Sequence, residues 1–253
     1  MSKRNTQQRR RAIIDTLNSS GEVSVEALAH QFATSEVTIR KDLAALEANG
    51  LLLRRYGGAV PVPQEMMADA GAEKISERKQ ALAQAAAELI ADHNRIIIDS
   101  GSTTAALLPE LSSKQGLVVM TNSLHIANAL RELENEPTLL MTGGTWDPRS
   151  EGFQGQLAEQ VLRSYNFDQL FIGADGLDLD RGTTTFNELY SLSQVMAEVA
   201  REVVVMAESE KLGRKIHNLE LPWSAIAVLV TDRDFPDLAT ERLEKHGVRV
   251  IRA

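Results

Sequence analysis

The feature that most limits how this 253-residue chain can fold is a change of pattern near residue 72. Beyond it, short apolar runs alternate with amphipathic stretches. The runs at 95–99, 117–121, 138–142, 170–174, 202–207, 225–231 and 248–251 predict strands, and the stretches at 103–111, 124–134, 157–165 and 188–200 predict helices. Strands that read as near-continuous apolar runs are buried on both faces, so the expectation is a mostly parallel sheet with helices on each side. Ligands of such sheets sit at the carboxyl ends of the strands.

The first fifty residues follow a different rule. Three short helices fit them. Residues 9–18 carry Ile13, Ile14 and Leu17 on one face and stop at Ser19-Ser20-Gly21. A second helix follows the N-cap type Ser24, with Leu28 and Phe32 inward and the small residues Ala27 and Ala29 allowing close approach. A third starts at Ser35 after an Ala33-Thr34 turn, packs through Val37, Leu43 and Leu46, and ends at Asn49-Gly50. The run LLLRRYGGAV then reads as a β-wing. This layout predicts a winged helix-turn-helix over 1–58, a Pro-containing linker over 59–72, and the α/β domain over 73–253.

Charge supports that division. The chain carries a formal charge of −8, yet residues 1–58 hold +3 and the remainder −11. A basic head on an acidic body suits contact with phosphate at one end only. The start of a recognition helix faces base edges in the major groove, which singles out Ser35, Glu36, Thr38, Arg40 and Lys41. Ile39 fits either the core or a thymine methyl. Arg54, Arg55 and Tyr56 of the wing suit phosphate or the minor groove. The competing reading of this segment is a helical oligomerisation module with a solvated charged face.

The ligand-binding candidates lie on strand ends. Asp99-Ser100-Gly101-Ser102-Thr103-Thr104 joins a buried strand to a helix start, where a glycine turn, hydroxyls and the positive helix end favour a phosphate. Serine and threonine are also ordinary helix caps. Thr121-Asn122-Ser123, Thr142-Gly143-Gly144 and Gly173-Ala174-Asp175-Gly176 end further strands of the same sheet. Lys211, in Glu208-Ser209-Glu210-Lys211, brings either a phosphate-binding cation or a solvated surface lysine, and Gly213-Arg214-Lys215 follows it.

The segments VSVEALAHQFATSEVTIRKDLAALEANGLLLRRYGGAV, IIIDSGSTT, MTNS, MTGG, FIGADGLD and AESEKLGRK, in this order, resemble the DeoR family of bacterial repressors over nearly the whole chain. Within that family the likeness is to amino-sugar regulators of pseudomonads. The resemblance implies a C-terminal domain like ribose-5-phosphate isomerase and glucosamine-6-phosphate deaminase. It further implies that Ser100, Gly101, Ser102, Thr103, Thr104 and Lys211 hold phosphate while Asp175, Asp178 and Glu188 face the sugar. The expected function is a DNA-binding repressor of sugar-metabolism genes controlled by a phosphorylated sugar. Its expected partners are double-stranded operator DNA, that effector and further copies of itself, as a dimer or tetramer.

The alternative is an isomerase or deaminase with an appended DNA-binding domain. The isomerases place a lysine between the matching aspartate pair and the following glutamate, and residues 179–187 here, LDRGTTTFN, contain none. No lysine occurs from Gln115 to Glu210. The expectation is therefore a sensor, not an enzyme. An adaptor without a ligand is a third reading, which leaves the polar strand ends unexplained. No cofactor or metal is expected: the five histidines are scattered, and Gly143-Gly144 lacks dinucleotide-binding spacing. With no cysteine, no secretory signature after the basic N-terminus and no apolar run long enough to span a bilayer, a cytoplasmic location is expected.

Overall fold

The computed structural model describes residues 3–47, 52–61, 76–148, 150–187, 190–214 and 216–253. The chain divides into two compact units, Met1–Glu73 and Lys74–Ala253.

The first unit begins with α1 (Lys3–Ser20), longer at both ends than its apolar stripe predicts. Gly21, at φ +74, stops it by donating to the Leu17 carbonyl. After β1 (Val23–Ser24), the Ser24 hydroxyl accepts from the Ala27 amide and caps α2 (Val25–Gln31). Ala33, at φ +46, turns the chain toward α3 (Glu36–Glu47), whose start Ser35 caps by accepting from the Thr38 amide. The expected C-cap, Asn49-Gly50, lies outside the described residues. The wing is the hairpin of β2 (Leu53–Arg55) and β3 (Gly58–Val60), and β3 also pairs with β1. The strand therefore runs two residues into the expected linker. Gly58 is required here, because a Cβ at this position would lie 2.1 Å from the Val23 carbonyl oxygen.

Ile13, Leu17, Leu28, Ile39, Leu43, Leu46 and Leu52 close the core of this unit. Two expectations change. Val37, taken as a packing residue, is 58% exposed, and Ile39 is fully buried. Positions 39, 43 and 46 are spaced by four and three residues and form one stripe, from which position 37 is rotated away. Ala27 is also exposed, so close helix approach rests on the partly buried Ala29.

In the second unit, all seven anticipated strands join one parallel sheet: β4 (Arg95–Ile98), β5 (Val118–Thr121), β6 (Thr138–Met141), β9 (Phe167–Ile172), β12 (Ala200–Met206), β14 (Val228–Thr231) and β15 (Arg249–Arg252). Their order is β15-β14-β12-β9-β4-β5-β6. Alternate residues serve opposite faces. Ile97, Leu170, Val205 and Leu229 meet Leu162, Val195 and Leu243 on one side, while Ile96, Ile98, Phe171 and Val204 meet Leu82, Leu107, Ile126 and Leu130 on the other.

The helix expected at 103–111 is instead one α-turn, Ser102–Ala105, followed by a 3-10 segment, Leu108–Ser113, with Pro109 at its start. Proline supplies no amide to continue the α-helical ladder. Two further pieces carry no apolar pattern of their own: the hairpin of β7 (Thr145–Asp147) and β8 (Gly152–Gln154), and an antiparallel sheet of β10 (Gly176–Asp178), β11 (Gly182–Thr185) and β13 (Asn218–Pro222).

The order of the parallel strands locates a switch point. From β4 the chain builds outward through β5 and β6, then returns to place β9 on the other side of β4. The loops leaving β4 and β9 thus diverge, and such a crevice is where open α/β sheets take ligands.

Candidate functional site

At the switch point, Asp99-Ser100-Gly101-Ser102-Thr103-Thr104 leaves the end of β4. Gly101 adopts φ +145 and ψ 154, a conformation open essentially to glycine alone. The fully buried Thr104 donates its hydroxyl to the carbonyls of Asp99 (2.8 Å) and Gly101 (2.9 Å). Thr104 therefore staples the loop, and its proton is spent there. Asn122 at the end of β5 clamps the loop from the side: its amide donates to Asp99 Oδ1 at 2.8 Å, and its oxygen accepts from the Ser100 amide at 2.9 Å. Thr121 is buried, and its hydroxyl oxygen accepts from the Ser123 amide. These residues shape the site from behind.

The helix that follows Gly101 is four residues long, so the expected positive helix end contributes little at this loop. A cation supplies what the dipole does not. The Lys79 ammonium, 8% exposed, donates to the Ser102 hydroxyl at 2.9 Å. It reaches the loop from helix Glu77–Ala87, which Ser76 caps. The sequence reading missed Lys79. A signal was available: a lysine in the first turn of a helix opposes the macrodipole and calls for another reason to be there. A hydroxyl does not neutralise a buried ammonium, whereas an anion seated on the loop would.

The expected strand-end loops do gather at this edge of the sheet. Lys211, in the 3-10 turn Ser209–Lys211 after β12, is 4% exposed, which corrects the solvated-lysine alternative. Gly143 and Gly144, at φ +59 and +113, carry the chain from β6 into the β7–β8 hairpin. A Cβ on Gly152 of that hairpin would lie 2.9 Å from Ser100 Oγ and 3.2 Å from Asn122 Nδ2, so the hairpin closes over the loop. Asp175, after β9, accepts on Oδ2 from the Thr185 hydroxyl (2.9 Å) and the Phe186 amide (3.0 Å). Asp178 is placed differently from the expectation: its Oδ1 accepts from the Asp180 and Arg181 amides and fixes the β10–β11 turn. Glu188 and Lys215 lie outside the described residues.

A second residue missed in the sequence is Glu220 on β13, buried and accepting hydroxyl hydrogen bonds from Ser193 (2.9 Å) and Thr183 (3.3 Å). Burial first, then the neighbouring charges of Asp99 and Asp175, push its carboxyl up to about 8, and Ser193 and Thr183 offset part of this. Burial likewise pushes Asp99 up to about 6 against the hydrogen bonds from Asn122 and Ser100, with Asp175 adding to the rise.

The native state therefore holds protons that the unfolded chain gives up, and stability falls as pH rises from the ordinary carboxyl range toward 8. Glu220→Gln keeps a hydrogen-bonding side chain without a charge to bury. It is expected to stabilise the protein above about pH 8 by at least the equivalent of one pKa unit, about 1.4 kcal/mol, and to change little near pH 5. Thermal unfolding at both pH values checks this, and parallel pH profiles for variant and wild type would contradict it.

The first unit presents a second candidate surface. The outward face of α3 carries Glu36, Val37, Arg40 and Lys41, all exposed. Arg40 pairs with Glu36 at 2.6 Å, and the Ser35 and Thr38 hydroxyls bond each other at 2.9 Å. On the wing, the backbone amide and Nε of Arg54 donate to the Glu47 carboxylate at 3.0 and 2.7 Å, Arg55 pairs with Glu22, and Tyr56 is fully exposed. Arg9 and Arg10 are not part of that surface charge: both turn inward to Asp42, at 2.6 and 2.9 Å.

Among the described residues, no group of His, Asp or Glu is placed to hold a metal ion, and no helix is long and apolar enough to cross a membrane. Residues 9–65 match the family described as the DeoR-like helix-turn-helix domain, and residues 74–233 match the DeoR C terminal sensor domain. The chain is 39% identical to a protein of Escherichia coli O157:H7 named as a repressor of the aga operon, covering 97% of this chain and 93% of that one. It is 34% identical to the HTH-type transcriptional regulator GlpR of Haloferax volcanii, over 96% of each chain. It is 30% identical to the transcriptional repressor AccR of Agrobacterium fabrum, over 96% and 97%. Among solved structures, a ribose 5-phosphate isomerase of Methanocaldococcus jannaschii is similar over 54% of each chain, at 20% identity and a TM-score of 0.39.

Proposed function

Because the chain belongs to the DeoR family of transcriptional regulators, we propose that it represses sugar-metabolism genes under the control of a phosphorylated sugar. Residues 1–58 bind operator DNA and residues 73–253 sense the effector. The observation that carries this reading is the buried Lys79 ammonium bonded to Ser102 in a glycine-turned loop at the sheet's switch point. A phosphate there would accept from the Gly101 and Ser102 amides and the Ser102 and Thr103 hydroxyls while neutralising Lys79, with Lys211 as a second cation. One Asp175 oxygen is held by Thr185 and Phe186, which orients the carboxylate for the sugar hydroxyls.

The sensor reading is favoured over an isomerase by a specific arrangement. In the interval 179–187, where the isomerases carry a lysine, this chain has none and forms the β10–β11 turn and β11, and Asp178 Oδ1 accepts from the Asp180 and Arg181 amides of that turn. On DNA, Arg40 and Lys41 read the major groove while Arg54, Arg55 and Tyr56 hold the backbone, and a homo-oligomer reads paired half-sites. The experiment is a thermal-shift screen of sugar phosphates followed by calorimetry on the best ligand. A sugar phosphate that raises the melting temperature and changes operator affinity supports the reading. A panel in which none binds would reject the effector assignment.

A further inference from the structure

The recognition helix carries one apolar side chain where an all-polar face would be expected. Val37 is 58% exposed, in the first turn of α3. Residues three and four apart on a helix are neighbours, so Val37 shares its face with Arg40 and Lys41. Of the polar groups around it, Glu36 is engaged with Arg40 and the Ser35 hydroxyl with that of Thr38. Ile39, the other candidate for an apolar contact with DNA, is fully buried in the core with Leu43 and Leu46. A β-branched residue left in water on a helix start contributes nothing to the core and is a weaker helix former than alanine.

The major groove offers one apolar group, the C5-methyl of thymine, and an aliphatic side chain at the start of a recognition helix is suited to meet it. We propose that Val37 reads the C5-methyl group of a thymine in the operator. The inference rests on the DNA-binding reading above and adds a base-specific contact to it. Arg40 and Lys41 bring the helix to the groove by charge, and Val37 makes the fit depend on sequence through a group that carries no charge. A partner protein seated on this face would have to bury two cations with it, whereas DNA pairs them with phosphate or acceptor base edges.

Removing only the methyl is possible, because deoxyuridine keeps every hydrogen-bonding group of thymidine. The probe is a duplex that the full-length wild-type protein selects from a randomised pool, scanned by single thymine-to-uracil changes with affinity read by fluorescence anisotropy. In the wild type, one thymine per half-site is expected to lose roughly fourfold on conversion to uracil, the effect of one buried methyl-sized group. Val37→Ala removes no core contact and places a better helix former in α3, so the variant keeps its fold. It is expected to bind the thymine duplex more weakly and to show no difference between thymine and uracil at that position.

A flat uracil scan with the wild type, or a Val37→Ala protein that keeps the full uracil penalty, would overturn the assignment of Val37 alone. Failure to select any duplex would overturn the DNA-binding reading along with it.

Discussion

Replacing Asp42 by alanine is expected to unfold the DNA-binding unit while the sensor unit keeps its ligand affinity. Asp42 projects inward from α3, is 2% exposed, and accepts from Arg9 at 2.6 Å and Arg10 at 2.9 Å. Arg9 is itself 9% exposed. Removing the carboxylate strands a buried guanidinium, and such losses cost about 3–5 kcal/mol, a large share of what a small domain has to spend. Arg10, less buried, can turn to water. Asp42→Asn retains a hydrogen-bond acceptor without the charge and is expected to fall between wild type and alanine. The readouts are operator affinity and hydrogen-exchange protection of residues 3–47. An Asp42→Ala protein that binds operator as tightly as wild type would show that the buried pair does not hold α1 to α3.

The second large effect is expected at Gly101. At φ +145 and ψ 154, a residue with a Cβ pays about 1–3 kcal/mol of backbone strain or moves the loop. The loop cannot move without cost, because Thr104 and Asn122 bind it on both sides. Gly101→Val is therefore expected to lower sugar-phosphate affinity by roughly 5- to 150-fold, since each 1.4 kcal/mol is a factor of ten. Operator binding, carried by the other unit, should persist, leaving a repressor that no longer responds to its effector. Calorimetry giving wild-type affinity for Gly101→Val would place the phosphate elsewhere.

Much of this architecture is legible in the sequence because of how each part is buried. The seven parallel strands lie between two layers of helices, and full burial writes itself as runs such as Ile96-Ile97-Ile98 and Val203-Val204-Val205. The antiparallel sheet leaves no such trace. Thr183 and Thr184 are fully buried and Thr185 nearly so, although none of them is apolar, in the middle strand of that sheet. The phase of α3 was open to misreading, since two β-branched residues stand two positions apart. Only Ile39 keeps the spacing of Leu43 and Leu46, which leaves Val37 on the outside.

The site divides along similar lines. The loop after β4 announces itself by its glycine and hydroxyls, but its buried cation comes from Lys79, 23 residues upstream of Ser102 on a helix outside the stretches expected from the sequence. Glu220 is hidden for the opposite reason: one acid between two leucines looks like the exposed face of an edge strand, whereas the fold buries it against Ser193 and Thr183.

The proposed function requires a sugar phosphate and the operator to be bound by one switching molecule. Linkage makes this testable with a single closed cycle. The sugar phosphate that most stabilises the protein is titrated with and without saturating operator, and operator is titrated with and without saturating sugar phosphate. Both pairs of dissociation constants are expected to change by the same factor, in the range of roughly 5–150 found for allosteric coupling, and the sugar phosphate is expected to be recovered unchanged. Equal sugar-phosphate affinity in the presence and absence of operator, or multiple turnover of the ligand, would contradict it.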